Sequence, residues 1–93
     1  RGLVIYPHFS RGKILQFTCK DPEKRVKGYG LKAEHRSEYW RFYNQDALGK
    51  YQEIIVVEGE NDVQSTIDAG VRNVIGLIGQ PSDKQIRYLR NAC

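Results

Sequence analysis

The chain has 93 residues and a formal net charge of +4 at pH 7, which fits one small domain with a modest core. No apolar run is long enough to span a bilayer and there is no signal-peptide pattern, so the sequence predicts no membrane partner. The two cysteines lack the spacing of a disulfide framework or a zinc site, so we expect a reduced, cytoplasmic protein. Because the chain begins at Arg1 and contains no methionine, we expect it to be a piece of a longer protein.

Short apolar runs predict antiparallel strands in the first part of the chain. The first strand is expected over 3–6, and Pro7 marks an edge strand or a strand end because it has no N–H for the ladder. A turn over 10–13 leads to a second strand over 14–19, which is expected to pair with the first as a hairpin. The remaining segments are expected to be a loop over 25–38, a strand-like aromatic run over 39–43 and a turn or short helix over 44–48.

The second part has a clearer pattern of strands and helices. The uninterrupted apolar run over 54–57 leads directly into Glu58 and predicts a strand over 54–58 that is buried on both faces, which is the usual state in a parallel sheet. A helix is expected next, with Asn61 as its N-cap, Gln64 at the reciprocal capping-box position and Gly70 as its C-terminal stop. Another strand is expected over 74–78.

A second helix is predicted to begin at Ser82, because Gln85 stands three residues later as in a capping box. Ile86 and Leu89 are expected to form its apolar stripe. Strand, helix, strand and helix in this order make a βαβα unit with parallel strands. The predicted fold class is therefore α/β (α+β overall), with an antiparallel β-rich portion followed by a Rossmann-like parallel half.

Charge and aromatic residues are concentrated in the first part. Residues 1–50 contain 11 Lys and Arg against 5 Asp and Glu, a net +6, whereas residues 51–93 contain 4 against 6, a net −2. Residues 1–50 also hold 8 of the 10 aromatic residues. This favours nucleic-acid binding by phosphate neutralisation and base stacking, although a solvated basic face over an aromatic-rich sheet is the alternative. Composition therefore predicts two parts, 1–50 and 51–93.

Glu58 is the first candidate for chemistry. It stands at the carboxyl end of the predicted strand, where open α/β sheets bind their ligands. A carboxylate there can bind Mg²⁺ or act as general acid or base in phosphoryl transfer. Asp62 is expected in the first turn of the next helix, where the helix dipole favours a carboxylate, so a purely electrostatic role is its alternative. Gly59 between them permits a tight turn.

These motifs together resemble the Toprim domain, which is found in DNA primases, topoisomerases and some nucleases. The family pattern is a strand, E-G-x-x-D, a helix ending in A-G, and a strand that leads to a glycine turn. The matching positions here are 54–62, 69–70 and 74–79. The first part is similar to bacterial and phage-type primases in a G-K-x-x-x-F-x-x-K segment at 12–20 and an R-F-x-N segment at 41–44. The resemblance covers nearly all of the chain.

The resemblance implies a role for each motif. Glu58 would be catalytic and would bind Mg²⁺ or Mn²⁺, with Asp62 as a second metal ligand. Four side chains would bind the nucleic acid or the nucleotide: Lys13, Lys20, Arg41 and Asn44. Three glycines would be structural: Gly59, Gly70 and Gly79. Lys20 stands where the family usually has arginine, which keeps the charge but loses the bidentate fork.

By the same resemblance, the parent protein would be a DNA primase or primase-helicase, a nucleotidyltransferase of DNA replication. It would join NTPs into RNA primers on a single-stranded DNA template by Mg²⁺-dependent transfer to a primer end. A replicative helicase, fused or separate, would be its partner.

One family motif is missing, which leaves other functions open. The family has a later D-x-D that holds most of the Mg²⁺, and this sequence contains none. We therefore expect the chain alone to lack polymerase activity and to bind no metal tightly. The alternatives are another Toprim enzyme, such as a nuclease or topoisomerase, a non-catalytic nucleic-acid-binding module, or a protein-interaction domain that shares the motif by chance.

Overall fold

The computed structural model describes residues 3–24, 28–32 and 34–92. The chain forms two compact units, Arg1–Trp40 and Arg41–Cys93. The division predicted from composition, at 1–50 and 51–93, separates a basic, aromatic-rich part from a Toprim-like part. This division by function stays a prediction. Within the described ranges no helix has the length and apolar character that a membrane span requires.

The first unit is a three-stranded antiparallel sheet. Its strands are β1 (Val4–Ser10), β2 (Lys13–Lys20) and β3 (Tyr29–Gly30), in the order β1-β2-β3. Arg11 and Gly12 connect β1 to β2 with φ of 53° and 80°, the positive values that a two-residue hairpin turn of type I′ requires. The predicted hairpin is therefore confirmed.

Two irregularities shape the hairpin. Pro7 lies inside β1, opposite Phe17, and β1 is the edge strand, so the prediction of an edge strand is confirmed and that of a strand end is wrong. The pairing shifts where His8 faces Gln16 and Phe9 faces Ile14, which leaves Leu15 as an extra residue in β2. The carbonyl of Leu15 accepts a hydrogen bond from the backbone N–H of Ser37 at 2.9 Å, so the bulge ties a later segment to the sheet.

The core of the first unit is unusually polar. The buried side chains on one face of the hairpin include His8, Gln16 and Thr18. The indole N–H of Trp40 donates to Nδ1 of His8 at 2.8 Å, and the Oε1 of Gln16 accepts from the backbone of Leu31 at 3.0 Å. These bonds supply partners for groups whose burial would otherwise be costly.

Two of the predicted irregular segments need correction. The loop expected over 25–38 lies partly outside the described residues, and Tyr29–Gly30 within it forms the short strand β3. The aromatic run over 39–43 is not a strand, because only Tyr43 makes a β-bridge, to Gly76. The short helix predicted over 44–48 is confirmed as a 3-10 helix at Gln45–Gly49.

The second unit contains the predicted βαβα order. Its elements are β4 (Ile55–Val57), α1 (Glu60–Asp68), β5 (Val74–Gly76) and α2 (Asp83–Ala92), and β4 pairs with β5 in parallel. The mixed α/β class is thereby confirmed. The expectation that the 54–58 strand is buried on both faces is wrong, because Ile55 and Val56 are each 43% exposed. In the described part of the chain, β4 has a strand neighbour on one side only.

Helix α1 begins earlier than predicted and ends as predicted. Its N-cap is Gly59 in extended backbone, so Asn61 lies inside the helix and the Asn61–Gln64 capping box is wrong. The Nε2 of Gln64 instead donates to the hydroxyl of Tyr43 at 2.7 Å. At the other end, Gly70 has a φ of 96°, and the two hydrogen bonds of a Schellman motif run from Gly70 N–H to Ile67 and from Val71 N–H to Thr66.

The core of the second unit lies between β5, the 3-10 helix and α2. Buried Phe42, Ala47 and Ile75 form its centre, and partly buried side chains surround them: Leu48, Ile54, Leu77 and Leu89. The capping box of α2 is confirmed, because Ser82 Oγ accepts from Gln85 N–H and Gln85 Oε1 accepts from Ser82 N–H, each at 3.1 Å. The prediction that Ile86 belongs to the apolar stripe is wrong, because it is 43% exposed. The side of α2 that faces the core is instead formed by Gln85 and Leu89, which are four residues apart.

Candidate functional site

Glu58 lies at the carboxyl end of the parallel strand pair, as predicted. It follows β4 directly, and its side chain is exposed. Its backbone carbonyl accepts the N–H of Ile78 at 2.9 Å, and the carbonyl of Val57 accepts the N–H of Leu77 at the same distance. These two bonds extend the β4–β5 contact to the strand ends, so the position of Glu58 is set by the sheet.

The backbone next to Glu58 is strained on the β5 side. Ile78 has a φ of 60°, which a β-branched residue rarely adopts, and Gly79 follows with a φ of 82°. Left-handed backbone at such a residue costs on the order of 1–3 kcal/mol, and such strain is concentrated at functional sites. The sequence predicts a turn at Gly79, but its placing of Ile78 in a strand over 74–78 is wrong, because β5 ends at Gly76 and Ile78 is left-handed.

Two further carboxylates lie on the first turn of α1. Asp62 is exposed there, where the helix dipole stabilises it, and its backbone carbonyl accepts the hydroxyl of Thr66 at 2.7 Å. Glu60 is fully buried, which sequence reasoning missed because the first turn of a helix is normally solvated. The burial of Glu60 depends on which residues pack over the first turn of α1, and the local sequence does not indicate which residues those are.

A close approach of helix and strand explains the glycine in β5. A Cβ on Gly76 would lie 3.0 Å from Cγ2 of Val63 and 3.4 Å from both the carbonyl of Gly59 and Cβ of Tyr43. Tyr43 and Gly76 also exchange two backbone hydrogen bonds, at 3.0 and 3.1 Å. The absence of a side chain at Gly76 therefore lets α1 and the Tyr43 segment both contact β5 just before the strand ends at the site.

Asn44 has a structural role in this arrangement. It adopts the left-handed conformation with a φ of 62°, which asparagine tolerates better than most residues. Its Nδ2 donates to the carbonyl of Val74 at 2.9 Å, which attaches the start of the 3-10 helix to β5. A role in binding nucleotide or nucleic acid stays a prediction for this residue.

Arg41 is held at the same edge of the sheet as Glu58. The Nε2 of Gln85 donates to the backbone carbonyls of both Arg41 and Leu77, and Leu77 is bonded to Val57 at the end of β4. The backbone N–H of Arg41 donates to Oε1 of Gln45 at 2.7 Å. The backbone of Arg41 is thus held near the carboxyl ends of β4 and β5, and its guanidinium lies 5.4 Å from the ring centroid of Tyr88. The sequence predicts neither glutamine contact.

Lys13 and Lys20 belong to the first unit and lie far from each other. They are the first and last residues of the eight-residue strand β2, so their Cα atoms are roughly 23 Å apart. Lys13 is exposed beside the hairpin turn, whereas the ammonium group of Lys20 lies 5.5 Å from the ring centroid of Tyr6. These two predicted binding residues therefore lie at opposite ends of β2 and do not form one cluster.

A divalent cation at this site would need several oxygen ligands near the carboxyl ends of β4 and β5. Mg²⁺ takes near-octahedral oxygen coordination from one or two carboxylates with waters and phosphates. Glu58 is a suitable carboxylate, but the described residues include no group of three or more His, Cys, Asp and Glu side chains placed to hold a metal ion. Glu58 would therefore need further ligands, beyond those that the described residues place beside it, to hold Mg²⁺.

Comparison with known proteins identifies the fold. No protein-family profile matches the chain, and no curated protein matches it in sequence. A match among solved structures is the crystal structure of the RNA polymerase domain (RPD) of Mycobacterium tuberculosis primase DnaG, with a TM-score of 0.66 and 17% identity. The match covers 97% of this chain and 33% of that one, so the chain spans about one third of its length. The chain therefore has the fold of part of a primase RNA polymerase domain.

Proposed function

We propose that this chain is the N-terminal part of a Toprim-type DNA primase core, within a protein that makes RNA primers on single-stranded DNA. One observation carries the proposal: Glu58 directly follows a parallel strand, in a chain whose fold matches part of a primase polymerase domain. The E-G-x-x-D pattern at 58–62 supports the Toprim assignment, since the carboxyl ends of parallel strands are where such sheets bind ligands.

The chain would contribute positioning and charge to the reaction. Glu58 would be one carboxylate of a Mg²⁺ or Mn²⁺ site completed by groups that this chain does not contain, and the bound metal would supply charge neutralisation. Arg41 would face the nucleotide or the template–primer end, as the R-F-x-N resemblance implies. Lys13 and Lys20 in the first unit would contact the template strand. Transfer of a nucleotidyl group depends mainly on such positioning and neutralisation.

The partners follow from this assignment. They would be a single-stranded DNA template, NTPs and a primer end, with a replicative helicase either fused to the same protein or separate. The protein would act in the cytoplasm, where bacterial and phage replication takes place.

Glu58→Gln in the full-length protein tests the proposal. This change keeps the shape of the side chain and removes its charge, so primer synthesis should fall at least about 100-fold while single-stranded DNA binding is largely kept. The matched control is Glu53→Gln, an exposed glutamate near the opposite end of β4, which should leave synthesis unchanged. Unchanged synthesis by the Glu58 variant would remove this residue from the mechanism.

A non-catalytic DNA-binding module is the second candidate. The absence of a three-carboxylate cluster among the described residues favours it, together with the basic first part of the chain. It predicts strong salt dependence of DNA binding, no need for a metal, and normal function after Glu58→Gln. Nicking of supercoiled DNA that is lost in Glu58→Gln would instead favour a Toprim nuclease or topoisomerase.

A further inference from the structure

Helix α2 carries a concentrated positive charge in an otherwise acidic part of the chain. Residues 51–82 contain 1 basic and 5 acidic residues, a net −4, whereas α2 contains 3 basic and 1 acidic residue, a net +2. The three cations are exposed and make no ion pair within the described part of the chain: Lys84, Arg87 and Arg90. The opposite side of the helix faces the core through Gln85 and Leu89.

An aromatic ring lies on the same helix, one turn after Lys84. Tyr88 is 42% exposed, and the guanidinium carbon of Arg41 lies 5.4 Å from its ring centroid. Buried Phe42 supports the ring from the core, with centroids 6.1 Å apart and planes tilted by 55°. Arg41 and Tyr88 thus form a cation–π pair that Phe42 supports from the core, and a large part of Tyr88 is exposed to solvent.

The backbone of Arg41 is fixed before any ligand binds. Gln45 accepts its N–H, and Gln85 donates to its carbonyl from a side chain that is only 5% exposed. Gln85 is itself held by the capping box with Ser82 at the start of α2. A group held in place by its own fold loses less conformational entropy when it binds a ligand.

We propose that Arg41, Tyr88 and the three α2 cations form a binding site for single-stranded nucleic acid, hereafter the α2 platform. The ring and the guanidinium plane would stack on an unpaired base, and Lys84, Arg87 and Arg90 would contact the phosphates on either side. A duplex fits this surface poorly because its bases are already stacked on each other. The choice of single-stranded nucleic acid as the ligand rests on the proposed function, whereas the α2 residues are named from the structure and their test does not involve Glu58.

The chemistry of the platform favours nucleic acid over a membrane. A helix that lies on a membrane presents its apolar face to the lipid. Here the apolar side chain of Leu89 packs into the core. The exposed side of the helix presents three cations and the ring of Tyr88, and the aliphatic side chain of Ile86 is exposed as well. The cations can contact phosphates and the Tyr88 ring can stack on a base, so the surface suits a nucleic-acid strand better than a lipid bilayer.

Fluorescence anisotropy of the full-length protein with labelled oligothymidylate tests the inference. Tyr88→Ala should weaken binding by about ten-fold or more, because stacking one base contributes that much, while Tyr88→Phe keeps the ring and the affinity. With an abasic oligonucleotide of the same length, wild type and Tyr88→Ala should bind equally, since no base is present to stack. A Tyr88→Ala effect of less than two-fold on oligothymidylate would overturn the stacking role.

Salt dependence tests the cations separately. The triple variant Lys84→Gln, Arg87→Gln and Arg90→Gln should make the plot of log binding constant against log salt concentration less steep by about 2. Each phosphate contact on a single strand contributes roughly 0.7 to the magnitude of this slope. The matched control is Arg72→Gln, an exposed arginine before β5, which should leave the slope unchanged within about 0.3. An equal change of slope in both variants would mean that only the net charge of the protein matters, and it would contradict a specific site on α2.

Two further outcomes would also contradict the α2 platform. Equal affinity for a duplex with the same dependence on Tyr88 would exclude single-strand recognition. Binding to anionic lipid vesicles but not to oligothymidylate would assign the surface to a membrane. The thermal midpoint of each variant, followed by circular dichroism, identifies loss of binding that is caused by unfolding. The proposed catalysis is tested independently, since Glu58→Gln should leave this binding intact.

Discussion

Gln85 donates a side-chain hydrogen bond to the backbone carbonyl of Arg41, a residue 44 positions earlier in the chain. The same amide nitrogen reaches the carbonyl of Leu77 at 3.3 Å, and its oxygen accepts the N–H of Ser82. One buried glutamine therefore links the start of α2, the end of β5 and the Arg41 segment. The backbone of Arg41 is thereby held near the carboxyl end of β5.

Gln85→Ala should lower the free energy of unfolding by about 1–3 kcal/mol, because it removes a capping interaction and leaves buried carbonyls without their donor. Urea denaturation measures the change. Gln80→Ala provides the control, since this glutamine is exposed, and its effect should stay within about 0.5 kcal/mol.

Gln85→Glu separates the two halves of this interaction. A glutamate keeps the oxygen that accepts from Ser82 but replaces the donor with an acceptor that faces two carbonyls. We therefore expect it to be at least as destabilising as Gln85→Ala. A stability equal to wild type would show that the bonds to Arg41 and Leu77 contribute nothing.

Asp62→Asn should destabilise α1 by about 0.3–1 kcal/mol, because a negative charge in the first turn interacts favourably with the helix dipole. The loss should shrink as salt is added, since the site is exposed. Thermal denaturation at low and high ionic strength measures both effects.

Asp68→Asn is the matched control on the same helix. Asp68 is exposed at the last residue of α1, where the dipole disfavours a negative charge, so its neutralisation should be neutral or slightly stabilising. The same sign of effect at both positions would contradict a dipole role for Asp62.

Local signals explain which features the sequence could predict. The hairpin turn, the C-terminal glycine of α1 and the capping box of α2 each depend on residues within a few positions of one another. The segment 54–58 likewise predicts a strand, and Glu58 lies at the carboxyl end of that strand, as predicted. These features place Glu58 correctly at the end of a parallel pair.

The features that sequence reasoning missed depend on distant neighbours. Gln64 bonds to Tyr43 across 21 positions instead of capping its own helix. The exposure of Ile55 and the burial of Glu60 are set by what packs beside them. Periodicity reports which residues share a face of one element, and it carries no information on which other element covers that face.

Asn44 variants separate backbone conformation from hydrogen bonding. Asn44→Gly keeps access to the left-handed backbone and loses the bond to Val74, which should cost about 0.5–1.5 kcal/mol. Asn44→Ala also places a Cβ in this conformation, at an additional cost of about 1 kcal/mol. Chemical denaturation should therefore rank the stabilities as wild type, glycine, alanine.

DNA affinity of the same variants tests whether Asn44 also binds a ligand. Measured under conditions where every variant is folded, the affinity should not change if the amide serves only Val74. A loss of affinity in Asn44→Gly larger than about five-fold would support the nucleotide or nucleic-acid contact implied by the R-F-x-N resemblance.

Gly76→Ala should destabilise the second unit by about 1–3 kcal/mol, because the added methyl group would meet Val63 at 3.0 Å and force α1 away from β5. Gly49→Ala is the control, since a Cβ there meets nothing within 4 Å, and it should be neutral or stabilising through the unfolded state. If the close contact of α1 also positions Glu58, primer synthesis by the folded Gly76 variant should fall while synthesis by the Gly49 variant stays unchanged. Full stability of Gly76→Ala would mean that helix and strand separate easily, and that their contact does not hold the site.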